Sequence, residues 1–129
     1  TALFEVKVKG ADSVEAAKVL AKSIACSNLT KTAIAGHDAN WGRIVCAMGY
    51  SGAQFDPEKV DLFFESKAGK IQIAEDGVAL DFSEEKATEI LSQPEVTAIA
   101  DVKMGDAEAT AWGCDLTHGY IEINADYRS

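Results

Sequence analysis

Residues 3–24 read LFEVKVKGADSVEAAKVLAKSI, and two periodic patterns in this stretch decide the fold. Apolar and charged side chains alternate through residues 3–9, which is the pattern of a strand with one buried face. From Val14 onward, apolar side chains recur at intervals of three and four residues, which indicates a helix with one buried face. Asp12 and Glu15 stand at the spacing of a capping box at the start of that helix. The stretch therefore predicts a strand that leads directly into an amphipathic helix.

The rest of the chain repeats both patterns, but strands and helices do not alternate regularly. Asn28 is interpreted as the stop of the first helix. The further predicted elements are an extended segment at 31–35, a helix that Asn40 begins and that ends between residues 49 and 52, strands at 60–65, 70–74 and 78–81, a helix from Ser83 to Pro94, and strands at 96–104, 107–114 and 120–124. This order favours an α+β fold over a doubly wound parallel sheet. We expect one domain, residues 1–129, with a mostly antiparallel sheet and two to three helices.

The composition is that of a folded domain, and its charge disfavours some partners. Of the 129 residues, 47% are hydrophobic and 26% are charged, which is far from the signature of disorder. The net charge is −9, with +2 in residues 1–52 and −11 in residues 53–129. An acidic chain repels a phosphate backbone, and no apolar run approaches the ~18 residues that cross a bilayer, so we expect no nucleic acid and no membrane partner. Because the start of the chain lacks a signal-peptide pattern, we expect a cytoplasmic protein.

The cysteines are expected to be free, buried thiols. Three cysteines without any C-x-x-C spacing favour a reducing compartment and a packing role over redox chemistry. A metal site that combines them with the two histidines is not favoured, because none of these residues stand at ligand spacing. No metal and no cofactor are therefore expected. The residues concerned are Cys26, Cys46, Cys114, His37 and His118.

Residues 36–43, GHDANWGR, form the least core-like stretch of the chain. His37 and Asp38 are adjacent, which is poor geometry for an aspartate that orients a catalytic histidine. Arg43 can clamp a carboxylate or a phosphate, but a structural ion pair with a carboxylate such as Asp38 is the more common arrangement. The stretch alone assigns no catalytic role.

Thr1 and the two tryptophans also invite a functional interpretation. A threonine at the start of a chain can be a nucleophile whose own α-amine is the base, or it can merely be the first residue present. Trp41 and Trp112 are expected to be core anchors rather than stacking platforms. The chain contains no nucleophile elbow, phosphate loop or dinucleotide fingerprint. No complete catalytic set can be assembled from these residues.

Three stretches together resemble one known family. They are residues 29–44 (LTKTAIAGHDANWGRI), residues 105–116 (GDAEATAWGCDL) and residues 123–129 (INADYRS). All three, in this order, closely resemble the ornithine acetyltransferase family of arginine biosynthesis. The similarity covers the whole chain and falls on the C-terminal part of that family's β chain.

The resemblance implies a glutamate N-acetyltransferase that moves the acetyl group of N2-acetylornithine onto glutamate, with acetyl-CoA as a further donor in some members. It also implies a precursor that cleaves itself before a threonine, and that threonine then carries the acetyl group at the start of the β chain. Thr1 instead resembles the last residue of a Glu-Gly-x-Thr stretch further along the same β chain. The nucleophile, that glutamate and the oxyanion hole of the α chain are therefore expected outside these 129 residues. The implied partners are the α chain and the upstream β-chain sequence, in an α2β2 heterotetramer.

The resemblance also implies two substrate contacts in this chain, Asn124 and the final residue, Ser129. The family usually ends in threonine, so Ser129 keeps the hydroxyl and lacks a methyl group. The resemblance further marks His37, Asp38, Asn40, Trp41 and Arg43 as a loop that supports the active site without a catalytic role. The family commonly has proline where this chain has Ala39, which leaves the loop less rigid.

Two other functions remain open from the residues alone. One is a non-catalytic α+β binding or assembly module, and the other is a hydrolase that uses Thr1 as its nucleophile. The sequence leaves open whether acetyl-CoA is a donor and whether this piece folds alone.

Overall fold

The computed structural model describes residues 2–119. In this range the chain forms six strands, four α-helices and one 3-10 turn, Pro57–Lys59. The strands are β1 (Leu3–Ala11), β2 (Asp61–Ser66), β3 (Gly69–Glu75), β4 (Val78–Ala79), β5 (Glu95–Asp101) and β6 (Ala107–Cys114). The helices are α1 (Val14–Ala25), α2 (Asn28–Ala35), α3 (Trp41–Gly49) and α4 (Glu84–Leu91).

The six described strands form one mixed sheet in the order β4-β3-β2-β5-β1-β6. Each neighbouring pair is antiparallel except β1 and β5, which are parallel with Leu3 opposite Glu95 and Lys9 opposite Asp101. The predicted α+β class with a mostly antiparallel sheet is therefore confirmed, but the described residues form four α-helices, α1 to α4, where two to three were predicted. The parallel pair places the starts of β1 and β5 at the same end of the sheet, next to the end of β6.

The core lies between the helices and one face of the sheet. On β1, Phe4, Val6 and Val8 are fully buried, whereas the alternating Lys7 and Lys9 stay partly exposed on the opposite face. Burial of each large apolar side chain contributes roughly 1.5–3 kcal/mol relative to an exposed one. The alternation in residues 3–9 therefore fixes which face of the sheet the helices cover.

Each of the helices α1 to α4 begins at a residue whose side chain accepts a backbone N–H. The four capping residues are Ser13 for α1, Ser27 for α2, Asn40 for α3 and Ser83 for α4. Such a cap stabilises a helix by about 1 kcal/mol relative to alanine. The predicted helix starts at Asn40 and Ser83, which cap α3 and α4 in the structure, are confirmed.

The prediction of an extended segment at 31–35, with Asn28 as a helix stop, is wrong. Asn28 is the first residue of α2, and the Ser27 Oγ accepts the Thr30 amide at 3.2 Å. Thr30, Ala33 and Ile34 are buried together, and their spacing of three and four is that of one helix face. Packing of this face outweighs the preference of β-branched threonine and isoleucine for strands.

Two predictions about burial are also wrong. All three cysteines are exposed rather than buried, and Trp112 is 62% exposed on β6. The Trp112 indole nitrogen donates to the Glu5 carboxylate at 2.8 Å, so this ring lies on the sheet face that no described helix covers. Trp41 does pack, partly buried, against the core. Between residues 2 and 119, no helix has the length and apolar character needed to cross a membrane.

An ion-pair cluster lies just after the end of β5. The Lys103 ammonium lies 2.7 Å from the Asp76 carboxylate and 2.9 Å from the Asp61 carboxylate. These two hydrogen bonds, the one to Asp76 first, raise the pKa of Lys103 well above its usual range. The cluster connects the start of β2, the β3–β4 turn and the segment after β5.

Candidate functional site

The best candidate site lies at the end of the sheet where β1 and β5 begin. The Leu3 amide donates to the Pro94 carbonyl at 2.8 Å, and the Asp115 amide donates to the Ala2 carbonyl at 3.1 Å. The next amide, that of Leu116, donates to a carbonyl of α2 at 3.2 Å. We call this region the Asp115 corner; it comprises Ala2, Lys31, His37, Ser92–Pro94, Asp115 and Leu116.

Asp115 is the one charged side chain between residues 2 and 119 that is buried, with 8% of its surface exposed. Its Oδ1 accepts the Ala2 amide at 2.9 Å, which completes a reciprocal pair of bonds between Ala2 and Asp115. No basic side chain in the described range lies within ion-pair distance of this carboxylate. An ionised carboxylate accepts about four hydrogen bonds, so Asp115 retains acceptor capacity.

Two cavities open at the Asp115 corner, and Asp115 lines both. The first has a volume of about 300 Å³, and the second about 240 Å³. The first is lined by Ala2, Ile34, His37, Leu91, Ser92, Gln93, Pro94 and Asp115. The second is lined by Asn28, Lys31, Cys114, Asp115 and Leu116. A third cavity, of about 460 Å³, shares Gln93 and Pro94 with the first.

His37 reaches the first cavity because α2 ends in a left-handed turn. His37 has φ 55°, its amide donates to Ile34 at 3.1 Å, and the Asp38 amide donates to Ala33 at 2.8 Å. This bonding pattern ends many helices, usually with glycine at the left-handed position. Here the glycine, Gly36, precedes that position, and the His37 Nδ1 lies 3.4 Å from the Ser92 Oγ.

Asp38, Asn40 and Arg43 connect α2 to α3. The Asn40 Oδ1 accepts the Arg43 amide at 3.0 Å, and the Asn40 Nδ2 donates to the Asp38 carboxylate at 3.2 Å. The Arg43 Nη1 donates to the Leu29 carbonyl at 2.8 Å and to the Thr32 hydroxyl at 3.2 Å. The expected ion pair between Arg43 and a carboxylate is therefore absent from the described residues, and Arg43 bonds to α2 instead.

The structure thus divides the five predicted loop residues. His37 lines a cavity of the Asp115 corner, Trp41 packs against the core, and the other three hold two helices together. Thr1, Asn124 and Ser129 lie outside the described residues. Across residues 2–119, no group of three His, Cys, Asp or Glu side chains is arranged to hold a metal ion.

The sequence interpretation missed Asp115 and Ser92. Asp115 directly follows a strand, where an acidic residue normally indicates a solvated turn, and its bond to Ala2 joins residues 113 positions apart. Only the pairing of β6 with β1 reveals that this carboxylate is buried.

Comparison with known proteins identifies the family. A family model described as the ArgJ family matches residues 1–129. The chain belongs to the ArgJ family. The predicted family, ornithine acetyltransferase of arginine biosynthesis, is thereby confirmed.

Individual ArgJ-family relatives match along the whole chain. It is 54% identical to the Arginine biosynthesis bifunctional protein ArgJ of Thermotoga neapolitana, over 100% of this chain and 32% of that protein. It is 47% identical to a protein of Methanothermobacter thermautotrophicus named Glutamate N-acetyltransferase, over 98% of this chain and 33% of that protein. The chain thus spans about a third of the length of these curated relatives.

A crystal structure of the Arginine biosynthesis bifunctional protein from Bacillus halodurans shares the fold. The TM-score is 0.90 at 43% identity, and the match covers 98% of this chain and 58% of that chain. The α+β architecture and the strand order around the Asp115 corner therefore belong to an ArgJ-family fold.

Proposed function

We propose that this chain forms part of a glutamate N-acetyltransferase that moves the acetyl group of N2-acetylornithine onto glutamate in arginine biosynthesis. The observation that carries the proposal is the match of the ArgJ family model to residues 1–129. Relatives at 47% and 54% identity are named for glutamate acetylation and for arginine biosynthesis. Membership of this family favours an acyltransferase over a hydrolase that uses Thr1.

The proposed chemistry is acyl transfer in two steps through a threonine outside this chain. The threonine hydroxyl attacks the acetyl carbonyl, the bond to the ornithine nitrogen breaks, and ornithine leaves after accepting a proton. The glutamate amine then attacks the acetyl-threonine ester, and the threonine hydroxyl is restored. Neither step oxidises or reduces a group, so the transfer requires no redox cofactor. Acetyl-CoA is proposed as a second acetyl donor, as expected of a bifunctional member.

The remaining machinery is proposed to lie on the rest of the protein. The α chain supplies the oxyanion hole, and the upstream β-chain sequence supplies the threonine that self-cleavage exposes. Two α and two β chains assemble as a heterotetramer in the cytoplasm. The length of the curated relatives supports this division, because this chain matches about a third of each.

This chain's proposed contribution is two substrate contacts, Asn124 and Ser129. An asparagine amide both donates and accepts hydrogen bonds, which suits the ammonium and carboxylate groups of an amino acid, and a serine hydroxyl can do the same. Within residues 2–119, the bonds between Asp115 and Ala2 fix where the chain leaves β6. His37, Asp38, Asn40, Trp41 and Arg43 support this region through the contacts between α2, α3 and the core.

The test uses the complete protein that carries this sequence. Loss of a hydrogen-bonding side chain from an enclosed site costs about 1–3 kcal/mol, or roughly five- to 150-fold in kcat/KM. Asn124→Ala and Ser129→Ala should each lower kcat/KM by this factor, whereas Ser129→Thr should keep the activity. The matched control is Glu108→Ala, at an exposed position of β6, which should leave kcat/KM unchanged.

Subunit cleavage must be confirmed for each variant, because lost processing would also abolish activity. Full activity of both alanine variants would refute the proposed substrate contacts. A complete protein without any acetyl transfer would favour the alternative of a non-catalytic binding or assembly module. The isolated 129-residue chain is expected to show no transfer, because the proposed nucleophile lies outside it.

A further inference from the structure

We propose that the 240 Å³ cleft between Lys31 and Asp115 binds the ammonium and carboxylate groups of a free α-amino acid. The residues that line the cleft do not include either of the proposed substrate contacts, Asn124 and Ser129. The cleft lies where α2 meets the end of β6, and Asn28, Cys114 and Leu116 complete its lining.

Among residues 2–119, no basic side chain forms an ion pair with the buried carboxylate of Asp115. A buried carboxylate that bonds only to a neutral amide loses hydration without gaining a counter-ion, and this is costly. An asparagine could accept the Ala2 amide equally well without that cost. A ligand ammonium in the cleft would supply the missing positive charge and donate hydrogen bonds to the carboxylate.

Lys31 brings a positive charge to the same cleft that Asp115 lines. Lys31 is half-buried, and its ammonium forms no ion pair with any carboxylate in residues 2–119, Asp115 included. Its backbone is fixed on both sides: the Lys31 amide donates to Ser27 at 2.9 Å, and the Lys31 carbonyl accepts the Leu116 amide at 3.2 Å. Lys31 and Asp115 thus present opposite charges to one cleft without neutralising each other.

The size and the lining of the cleft suit a small ligand that carries both charges. A volume of about 240 Å³ is below the range of about 300–1,000 Å³ that is typical of drug-sized ligands. A small zwitterion fits it, with its ammonium at Asp115 and its carboxylate at Lys31. The Asn28 amide can bond to either group, and Leu116 offers an apolar surface to a short side chain.

The test titrates the complete protein with L-norvaline, whose side chain is apolar and short. Isothermal titration should show one site per chain. N-acetyl-norvaline lacks the ammonium charge and norvalinamide lacks the carboxylate charge, so neither should bind at the same concentrations. Asp115→Asn, which keeps an acceptor for the Ala2 amide, and Lys31→Gln should each weaken norvaline binding at least about tenfold.

Three controls make the result decisive. Lys18→Gln removes an exposed charge from α1 and should leave the binding constant unchanged. Circular dichroism shows whether the Asp115 variant is folded, and the Lys31 variant tests the cleft independently. Asn124→Ala should also leave norvaline binding unchanged, because the cleft is not the proposed substrate site.

Three outcomes would overturn the proposal. The first is no norvaline binding at tens of millimolar, and the second is binding that survives in both cleft variants. Binding that only Asn124→Ala abolishes would likewise overturn it, and would show that norvaline occupies the substrate site. None of these outcomes bears on whether the protein transfers acetyl groups, which the activity assay decides separately.

Discussion

The Asp115 corner makes a testable prediction about what holds β1 to the end of β6. In Asp115→Ala, the Ala2 amide loses the Oδ1 acceptor that now lies 2.9 Å away. A partly buried donor left without an acceptor costs about 1–3 kcal/mol. In Asp115→Asn the amide oxygen can still accept this bond and the buried charge is removed, so no loss of stability is expected. The start of β1 should therefore be about as stable in Asp115→Asn as in the wild type, and clearly less stable in Asp115→Ala.

Hydrogen–deuterium exchange of the complete protein measures this loss locally. Backbone amides at the start of β1 should exchange roughly five- to 150-fold faster in Asp115→Ala, because each 1.4 kcal/mol is a factor of about ten in the opening equilibrium. The amides of β3, which is separated from β1 by β5 and β2, should exchange at the wild-type rate. Asp106→Ala is the matched control, because this exposed aspartate precedes β6. Equal exchange in Asp115→Ala and wild type would refute the role of this bond.

Three further predictions concern other parts of the structure. Gly77→Ala should destabilise the protein by about 2 kcal/mol or more in thermal melts, because the φ of Gly77 is +75° and an added Cβ would meet the Pro57 carbonyl. Gly49→Ala is the control and should be neutral or stabilising, because a Cβ added there would have no atom within 4 Å. Lys103 has a higher pKa in the folded protein than in the unfolded chain, so its ion pairs stabilise the folded state fully at any pH below the pKa of the unfolded chain. This stabilisation is lost only as the pH rises through the pKa of the folded protein. The Tm difference between wild type and Lys103→Met should thus stay constant from about pH 6 to 9 and shrink with added salt; a change across that pH range would contradict this. Arg43→Lys should lower stability by about 0.5–1 kcal/mol in urea unfolding, because the flexible lysine side chain is less pre-organised than the planar guanidinium to hold the same two acceptors of α2. An unchanged midpoint with a raised substrate KM would instead make Arg43 a ligand clamp.

The sequence predicts an element well where a single local pattern decides it. The alternation in residues 3–9 and the helical spacing from Val14 correspond to β1 and α1. The helices capped by Asn40 and Ser83 begin where the capping residues stand. In each case the local preference and the tertiary packing agree, so the pattern alone is sufficient.

Other features depend on contacts that are distant in the sequence. α2 contains two threonines and an isoleucine, whose preference for strands competes with the helical spacing of its buried face, and the local pattern therefore misleads. The exposure of Cys114 and Trp112 follows from the position of β6 at the edge of the described sheet, beyond β1. The position of β1 between β5 and β6 is set by pairing between residues about 90 to 110 positions apart, as in Leu3 with Glu95 and with Cys114, and periodicity does not encode such pairing.

The residues of the candidate site likewise fall into those that the sequence could predict and those that it could not. Asn124, Ser129 and the loop residues were predicted from resemblance to a family, and the family is confirmed, while the substrate contacts remain predictions. Asp115 could not be predicted, because its burial depends on β6 pairing with β1 and on the bond to Ala2.

The most direct test of the central claim is acetyl transfer by the complete protein. It is incubated with N2-acetylornithine and glutamate, and both products are quantified by mass spectrometry. N-acetylglutamate and ornithine should form in equal amounts, and Asn124→Ala should form them at least about fivefold more slowly. A protein in which both chains are present, folded and correctly cleaved, but which forms no N-acetylglutamate, would contradict this claim.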